Sequence, residues 1–437
     1  MLNVLWLVLI LGAVLLGGFG GKLDAVTAAA FEACKTAVVT IALPLAGYMA
    51  MWLGIMRLAE KAGLIAVLAG WLRPVLVRLF PDVPPDHPAM GSMLMNMAAN
   101  MLGLGNSATP LGLRAMQDLE TLNRRPGTAT NAMCMFLAIN TSSIQLIPAT
   151  VIGILSAAGS LRPTAVVGTG FVATLLTTAS AIFMVKVLER LPMFALPSQS
   201  SDGTAENPPS APGERSASPD PTSSAEHGRL ALWQTVALAA LGLAFAFFAW
   251  QRLGQSTDPF PIALVDAISF LSIPAVLTFF PLYAIFRGVK VYEEFVEGAK
   301  EGVQVAIRIV PYLVAILVAV GMFRASGGIE ILTRQLAGVF AFLHFPPELL
   351  PLALIRPLSG SGATGIFTEI VQAHGPDSLI SRMAGTFMGS SETTFYVLAV
   401  YFGSVAVTRT RHALAAGLFA DVVGVIAAVA ICNLVFG

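Results

Sequence analysis

The chain has 437 residues, is 56% hydrophobic and only 11% charged, with a mean hydropathy of +0.78; a soluble globular protein carries about a quarter charged residues, so this composition suits lipid as solvent. Lys+Arg and Asp+Glu are both 25, which leaves no charge imbalance to attract nucleic acid or an acidic partner. Cys34, Cys134 and Cys432 lie far apart in apolar runs, which excludes a disulfide framework or a CxxC metal site and makes each a small buried hydrophobe.

A helix that crosses a bilayer needs about 20 apolar residues. The first candidate, Leu2–Phe19, has no basic n-region and no clean small-residue cleavage site, so it reads as a retained helix rather than a signal peptide. Gly21–Val39 is amphipathic and reads equally as a helix at the membrane interface or as an extension of the span Val38–Met56. His87–Gly105, "HPAMGSMLMNMAANMLGLG", holds one short helix, and "LGLRAMQDLETL" holds another. Between them the run "GLGNSATPLG" interrupts the apolar pattern. Thr130–Ala157, with "INTSSIQLIP" inside it, and Thr164–Val185 are the next spans.

Leu196–Gly228 is rich in Pro, Ser, Gly and acids and cannot bury enough surface to offset its ordering entropy. It is expected to be a disordered linker, residues 196–228, between two membrane halves, 1–195 and 229–437. The second half offers the uncharged span Leu230–Trp250, then Pro261–Phe286, the amphipathic Gly288–Ala306 (with the same two readings as Gly21–Val39) and Val303–Phe323. A short helix in Pro346–Gly362, the second interruption "RPLSGSGATG" and the short "IFTEIVQAH" follow, and Met383–Val405 and Ala413–Val435 complete the spans.

The halves repeat. Gly105–Pro110 aligns with Gly360–Gly365, Ser142-Ser143 with Ser390-Ser391, and Gly54 and Arg57 with Gly321 and Arg324, in the same order and at similar offsets. In hydrocarbon, non-helical backbone persists only where protein or a water-filled cavity surrounds it. A Gly/Ser/Thr break at matching places in two repeats therefore points to the binding site of a secondary transporter. Two short helices about each glycine turn would form a re-entrant hairpin. The competing reading is ordinary small-residue helix packing, which does not account for Asn96, Asn100 and Asn106 in one half and Arg356 and Glu369 in the other. Arg356 is expected to meet solute, to snorkel, or to close a structural ion pair with Glu369. Glu392, flanked by Ser390, Ser391, Thr393 and Thr394, reads as a carboxylate that carries a proton or shares a sodium ion, or as an interfacial loop-end acid. The matching place in the first half holds Thr141, Ser142, Ser143 and Gln145. The five histidines form no HxxxH or HExxH pair and no Ser-His-Asp grouping, so neither an enzyme, a metal site nor a cofactor is expected.

"NMAANMLGLGNSATPLGLRAMQ" resembles the spore maturation protein A family, and "IRPLSGSGATGIFTEIV…GSSETTFYVLAVYFG" the spore maturation protein B family. Both belong to the nucleoside-recognition, or Gate-domain, superfamily, and the chain resembles a fusion of the two. The resemblance implies kinship with concentrative nucleoside transporters: an all-α polytopic membrane protein whose halves form an inverted repeat, each with a re-entrant hairpin and a broken helix, around an elevator-like unit. It implies solute contacts at Asn106, Ser107 and Thr109 at the first tip and at Ser359, Ser361 and Thr364 at the second; Asn100 and Arg356, polar groups beside the breaks, are added as solute contacts from the residues themselves. After the hairpins the resemblance nominates Ser142, Ser143 and Gln145, and Ser390, Ser391, Glu392 and Thr393; the coupling-ion role of Glu392 rests on the residue reading above. The Gln-Thr-Glu hairpin pattern of those transporters is replaced here by Gly-Asn-Ser-Ala-Thr, and Arg356 suits a carboxylate or phosphate. The expected cargo is accordingly a small polar solute, either nucleoside-like or anionic or zwitterionic. The expected setting is the bacterial cytoplasmic (inner) membrane, with a proton or sodium ion as coupling partner and a homodimer to anchor the moving unit. The alternative function is a non-transporting scaffold or gate that regulates a partner.

Overall fold

The computed structural model describes residues 2–103, 105–142, 144–194, 231–256, 259–328, 331 and 346–437, apart from the side chains of 2–5, 105–107 and 308. The expected linker, 196–228, lies outside the described residues. Among those described, the chain is helical and has no strand. In order come α1 (Leu2–Phe19), α2 (Leu23–Lys35), α3 (Leu43–Lys61), α4 (Leu64–Leu79), α5 (Pro88–Met101), α6 (Gly105–Glu120), α7 (Asn131–Ser142), α8 (Ala149–Ala157) and α9 (Ala165–Leu188). After residue 230 come α10 (Leu232–Gln255), α11 (Phe260–Phe286), α12 (Val291–Ala325), α13 (Leu350–Ile355), α14 (Gly360–His374), α15 (Leu379–Gly389), α16 (Thr394–Ser404) and α17 (Ala413–Phe436).

Among the described residues six helices are long and apolar enough to cross a membrane: the continuous Leu23–Lys61, α9, α10, α11, α12 and α17. Of these, α10 buries none of its residues and turns Leu243 and Trp250 outward, a surface that only lipid solvates favourably. The protein is a multi-pass membrane protein.

The two amphipathic stretches are extensions, not separate interfacial helices. A π-helical turn, Thr36–Ala42, carries α2 into α3 without interruption. Pro44 follows it at the start of α3, and its missing N–H explains why the ladder widens there. In the second half α12 is a single helix of 35 residues. These two long rods pack antiparallel along their whole length. Arg57 at the end of α3 pairs with Glu294 and Glu301 at 2.8 Å each. Ile41 and Ala42 meet Leu313 and Leu317 in one apolar cluster, and Gly321 lies against Ala29 and Ala33. The rods come close because the contact is made by glycine: a Cβ on Gly302 would lie 2.3 Å from the Met49 carbonyl oxygen, and one on Gly298 would lie 2.5 Å from that of Leu53.

A second antiparallel pair is α9 with α17. Thr169 bonds Thr386 at 2.7 Å, which in turn touches Cys432, while Thr177 lies against Gly424. Contacts across the halves are reciprocal, since α9 also packs on α15 and α17 on α7. Two apolar runs that read as single spans are each split: Thr130–Ala157 into α7 and α8, and Met383–Val405 into α15 and α16. Pro148 caps α8 at the first split; no proline explains the second, which side chains hold open. Cys134 and Cys432 are buried, but Cys34 faces outward from α2, where an apolar thiol needs no cover if lipid surrounds it.

His412 sits just ahead of α17, fully buried against the edge of Phe194 at 5.9 Å, with neither ring nitrogen hydrogen-bonded to a described residue. Burial, helped by the charges of Arg411 and Lys186, pushes its pKa down from 6.5 to about 4. The unfolded chain therefore takes up this proton first. Stability should be unaffected above pH 6.5 and fall as the pH drops from 6.5 towards 4, and His412→Phe should flatten that part of the unfolding temperature–pH curve. In the rods, Gly302→Val should cost about 1–3 kcal/mol by overpacking. Gly47→Val, on a helix face with nothing within 4 Å, should leave the unfolding temperature unchanged.

Candidate functional site

Helix ends create the site. The last carbonyls of α7 have no partner in their own helix and must find donors elsewhere. The Ser142 carbonyl accepts from the Thr174 hydroxyl of α9 at 3.2 Å, and the Thr141 carbonyl accepts from the Glu392 backbone N–H at 2.9 Å. The hydroxyls of Thr141 and Ser142 turn back to the carbonyls of Ala138 and Ile139. The break in the first half is thus hydrogen-bonded to the break in the second.

On the other side, α15 ends at Gly389, and the hydroxyls of Ser390 and Ser391 bond the Phe387 carbonyl at 3.2 and 3.0 Å. Arg356, 6% exposed at the end of α13, reaches across. Its Nε donates to Ser391 Oγ at 3.1 Å, and its Nη2 donates to the Met388 carbonyl at 3.2 Å and to the Ser391 carbonyl. A guanidinium thereby satisfies carbonyls that a continuous helix would have satisfied itself. Its Nη2 is 3.7 Å from Glu392 Oε2, and the Glu392 side chain remains 42% exposed. The Arg356 Nη1 makes no hydrogen bond among the described residues. The Phe395 N–H then donates to the Pro357 carbonyl at 2.9 Å, tying the start of α16 to the turn before α14.

Ser359 caps α14, accepting from the Gly362 N–H at 3.0 Å. A Cβ on Gly360 would lie 3.0 Å from Thr393 Oγ1, so the helix start approaches the break closely here. The expected pair of Arg356 with Glu369 does not form. Glu369 is bonded instead to Arg324, because α14 packs its middle against the end of α12 while Arg356 faces the break.

The hairpin of the first half, α5 with α6, is clamped by Ser92 donating to Asp118 at 2.7 Å and by Asn96 donating to the Ala108 carbonyl at 2.8 Å. Its turn contains Gly103, in the left-handed region at φ +74°. Asn100 donates to Asn140 Oδ1 at 2.9 Å, and the Leu146 N–H donates to the Met101 carbonyl, folding the first break onto this turn. Gln145 lies there too, 3.4 Å from where a Gly103 Cβ would be. A cavity of about 290 Å³ lined by Trp52, Met101, Leu102, Leu146 and Phe280 opens beside it.

The nominated residues therefore fall into two groups, joined by the Glu392–Thr141 bond. Arg356, Ser359, Ser390, Ser391, Glu392 and Thr393 gather at the second break against the Ser142 end of α7. Asn100 and Gln145 gather at the first turn, with Thr109 half-buried on α6. Ser361 is half-buried at the start of α14, whereas Thr364 spends its hydroxyl on the Gly360 carbonyl inside that helix. Asn106 and Ser107 lie on the first turn of α6 by their backbone, their side chains being outside the described residues, as is Ser143 altogether.

Besides Asn96, three residues at this junction were not singled out from the sequence. Asn140 bridges Asn100 to the Phe136 carbonyl, Asn96 and Tyr401 link the hairpin to α16 at 3.4 Å, and Asp421 accepts from Thr394 at 2.6 Å. Asp421 had a signal, as the lone acid in the apolar span Ala413–Val435.

Comparison with known proteins agrees with this layout. The family model described as "Nucleoside recognition" (Gate) matches residues 42–158 and 306–408, in each half from the long rod through the hairpin to the break. Spore maturation protein B of Bacillus subtilis (strain 168) is 44% identical over 174 residues, 40% of this chain and 98% of that protein. Spore maturation protein A of the same organism is 43% identical over 184 residues, 42% of this chain and 93% of that protein, and the two cover different halves. Among solved structures, the YdaH transporter of Alcanivorax borkumensis aligns with a TM-score of 0.41 at 14% identity, over 91% of this chain and 87% of that one. The chain belongs to the nucleoside-recognition (Gate) family and is homologous to spore maturation protein A in one half and to spore maturation protein B in the other.

Proposed function

We propose that this protein is a secondary-active transporter of the bacterial cytoplasmic membrane, moving a small polar metabolite by alternating access coupled to a proton or sodium ion. The observation that carries this reading is the charge pair at the junction of the two breaks. Arg356 is buried between apolar helices, Glu392 beside it stays accessible, and the backbone around both is non-helical. Charges at membrane depth are costly and are retained where they serve a solute or ion path. Small-residue packing alone would need neither group.

The inverted relation of the halves is part of the proposal. It is supported by the antiparallel course of two pairs of corresponding helices, α3 with α12 and α9 with α17, and by the reciprocal packing of α9 on α15 and α17 on α7. In that arrangement α5–α6 and α13–α14 are the re-entrant hairpins, and their glycine turns reach the two breaks from opposite sides. The cargo is nucleoside-like, as the family description suggests, or anionic or zwitterionic, such as an amino acid or short peptide. The guanidinium of Arg356 favours a carboxylate or phosphate, and Glu392 favours an amine. A non-transporting gate has one observation on its side: Arg356 also props the break open mechanically through the Met388 and Ser391 carbonyls.

The test is a thermal-shift screen of the purified protein against nucleosides, amino acids, dipeptides and small dicarboxylates, at two pH values with and without sodium. A ligand at 100 times its Kd should stabilise the folded protein by about 2.7 kcal/mol. Glu392→Gln should abolish the shift and leave expression intact. Arg356→Ala should abolish it as well and lower the unfolding temperature, because two carbonyls lose their donor at about 1–3 kcal/mol. Shifts of wild-type size in both variants would remove the site from this junction; no shift across the panel would favour the gate.

A further inference from the structure

Asp421 stands near the middle of α17, between Gly417 and Gly424 on one face. A Cβ on Gly417 would lie 2.8 Å from Thr394 Cγ2 and 3.4 Å from Thr141 Oγ1, and one on Gly424 would lie 3.2 Å from Thr177 Oγ1. The missing side chains let α17 press against α7, α9 and the start of α16, and Asp421 is enclosed there at 4% exposure. Its Oδ2 accepts from the Thr394 hydroxyl at 2.6 Å. Its Oδ1 is sealed from solvent and has no hydrogen-bond partner among the described residues.

A carboxylate oxygen held bare in an apolar interior is a severe electrostatic burden, relieved when a cation binds or the group takes a proton. A metal ion would need several further oxygen ligands. Gly417, Ala420 and Gly424 supply none from side chains, and the described residues contain no group of three His, Cys, Asp or Glu able to hold a metal.

The charges that reach Asp421 are few. Arg356 from α13 and Glu392 from the break both act on it through space. Of the other elements packed on α17, α7 brings only the buried Cys134. From α9 comes Lys186, about 13 Å along the helix from Thr177 and turned to Glu189. Arg382 of α15 is held over Phe436, about 22 Å further along α17. From α16 come Tyr396 and Tyr401, the latter bonded to Asn96. Asp421 is thus coupled to the proposed solute site and insulated from the rest.

We propose that Asp421 is a proton-binding site and that it, rather than Glu392, carries the coupling ion of transport; the second clause rests on the transport reading above. Hydronium reaching the break gives its proton to Oδ1: one of its O–H bonds breaks, an O–H bond forms on the carboxyl, water is left, and the group goes from one negative charge to none. Release reverses the step. Thr394 opens α16 two residues after Glu392, so a change at Asp421 is passed to the segment that holds Arg356 and Glu392.

Infrared difference spectra of the purified full-length protein across a pH titration test the site without any solute. They should contain a carboxylic-acid C=O band that titrates, is lost in Asp421→Asn, persists in Glu392→Gln and moves in frequency in Thr394→Ala. If Asp421→Asn does not fold, the Thr394→Ala shift decides alone. A titrating band that is lost in Glu392→Gln, or indifferent to both Asp421→Asn and Thr394→Ala, would overturn the assignment. So would a band that sodium chloride removes at constant pH and potassium chloride does not, since Asp421 would then be a sodium site. The titration decides proton binding however the ligand screen turns out, so a failure of the transport reading and a failure of the proton site are seen separately.

Discussion

Backbone amides in hydrocarbon must be satisfied within the protein, and this protein leaves two helices broken in the middle of apolar runs. Everything at the centre of the structure follows from how those loose ends are closed. Most are closed within their own half, and one closure crosses between the halves. The Thr141 carbonyl waits for the Glu392 N–H, and the α16 terminus donates to the Pro357 carbonyl. The carbonyls after α15 are collected by one arginine. The second half thus supplies a donor that the end of α7 lacks, and the polar side chains gather where these closures are made.

Such exchanges need a frame that brings the halves close. The frame is built by absence of side chains: Gly298 and Gly302 against the α3 backbone, Gly417 and Gly424 against threonines of neighbouring helices. Between helices in lipid there is little hydrophobic drive, so close backbone approach and buried hydroxyl contacts such as Thr169 with Thr386 provide the attraction. Charged pairs stay at the ends of the rods, Arg57 with Glu294 and Glu301, and Arg324 with Glu369. Arg356 and Asp421 are the exceptions, buried where the rods do not reach.

What the amino-acid sequence determined alone was the class and the order of parts. Apolar runs long enough for a bilayer, glycine-rich interruptions and matched hydroxyl pairs are local signals, because a chain in lipid must either be helical or carry the residues that excuse it. The positions of Ser359, Gly360, Ser390 and Glu392 at helix ends were legible for that reason. The helices α6 and α14 themselves start at the aligned glycines Gly105 and Gly360, six residues before the short helices expected from Leu111 and Ile366.

Only the tertiary structure decided who pairs with whom. Arg356 and Glu369 are close in sequence but diverge onto different neighbours, and the proper partner of Glu369 is a residue 45 positions away. Asp421 passed as part of a smooth span because its neighbours in sequence are apolar, while the groups that make it exceptional, Thr394 and Arg356, arrive from other elements. Cys34 and the amphipathic stretches show the same limit, since burial and helix continuity depend on what packs alongside. Helix propensity and apolar period are properties of a segment; ion pairs, orphaned oxygens and the meeting of two breaks exist only once separate segments share one interior.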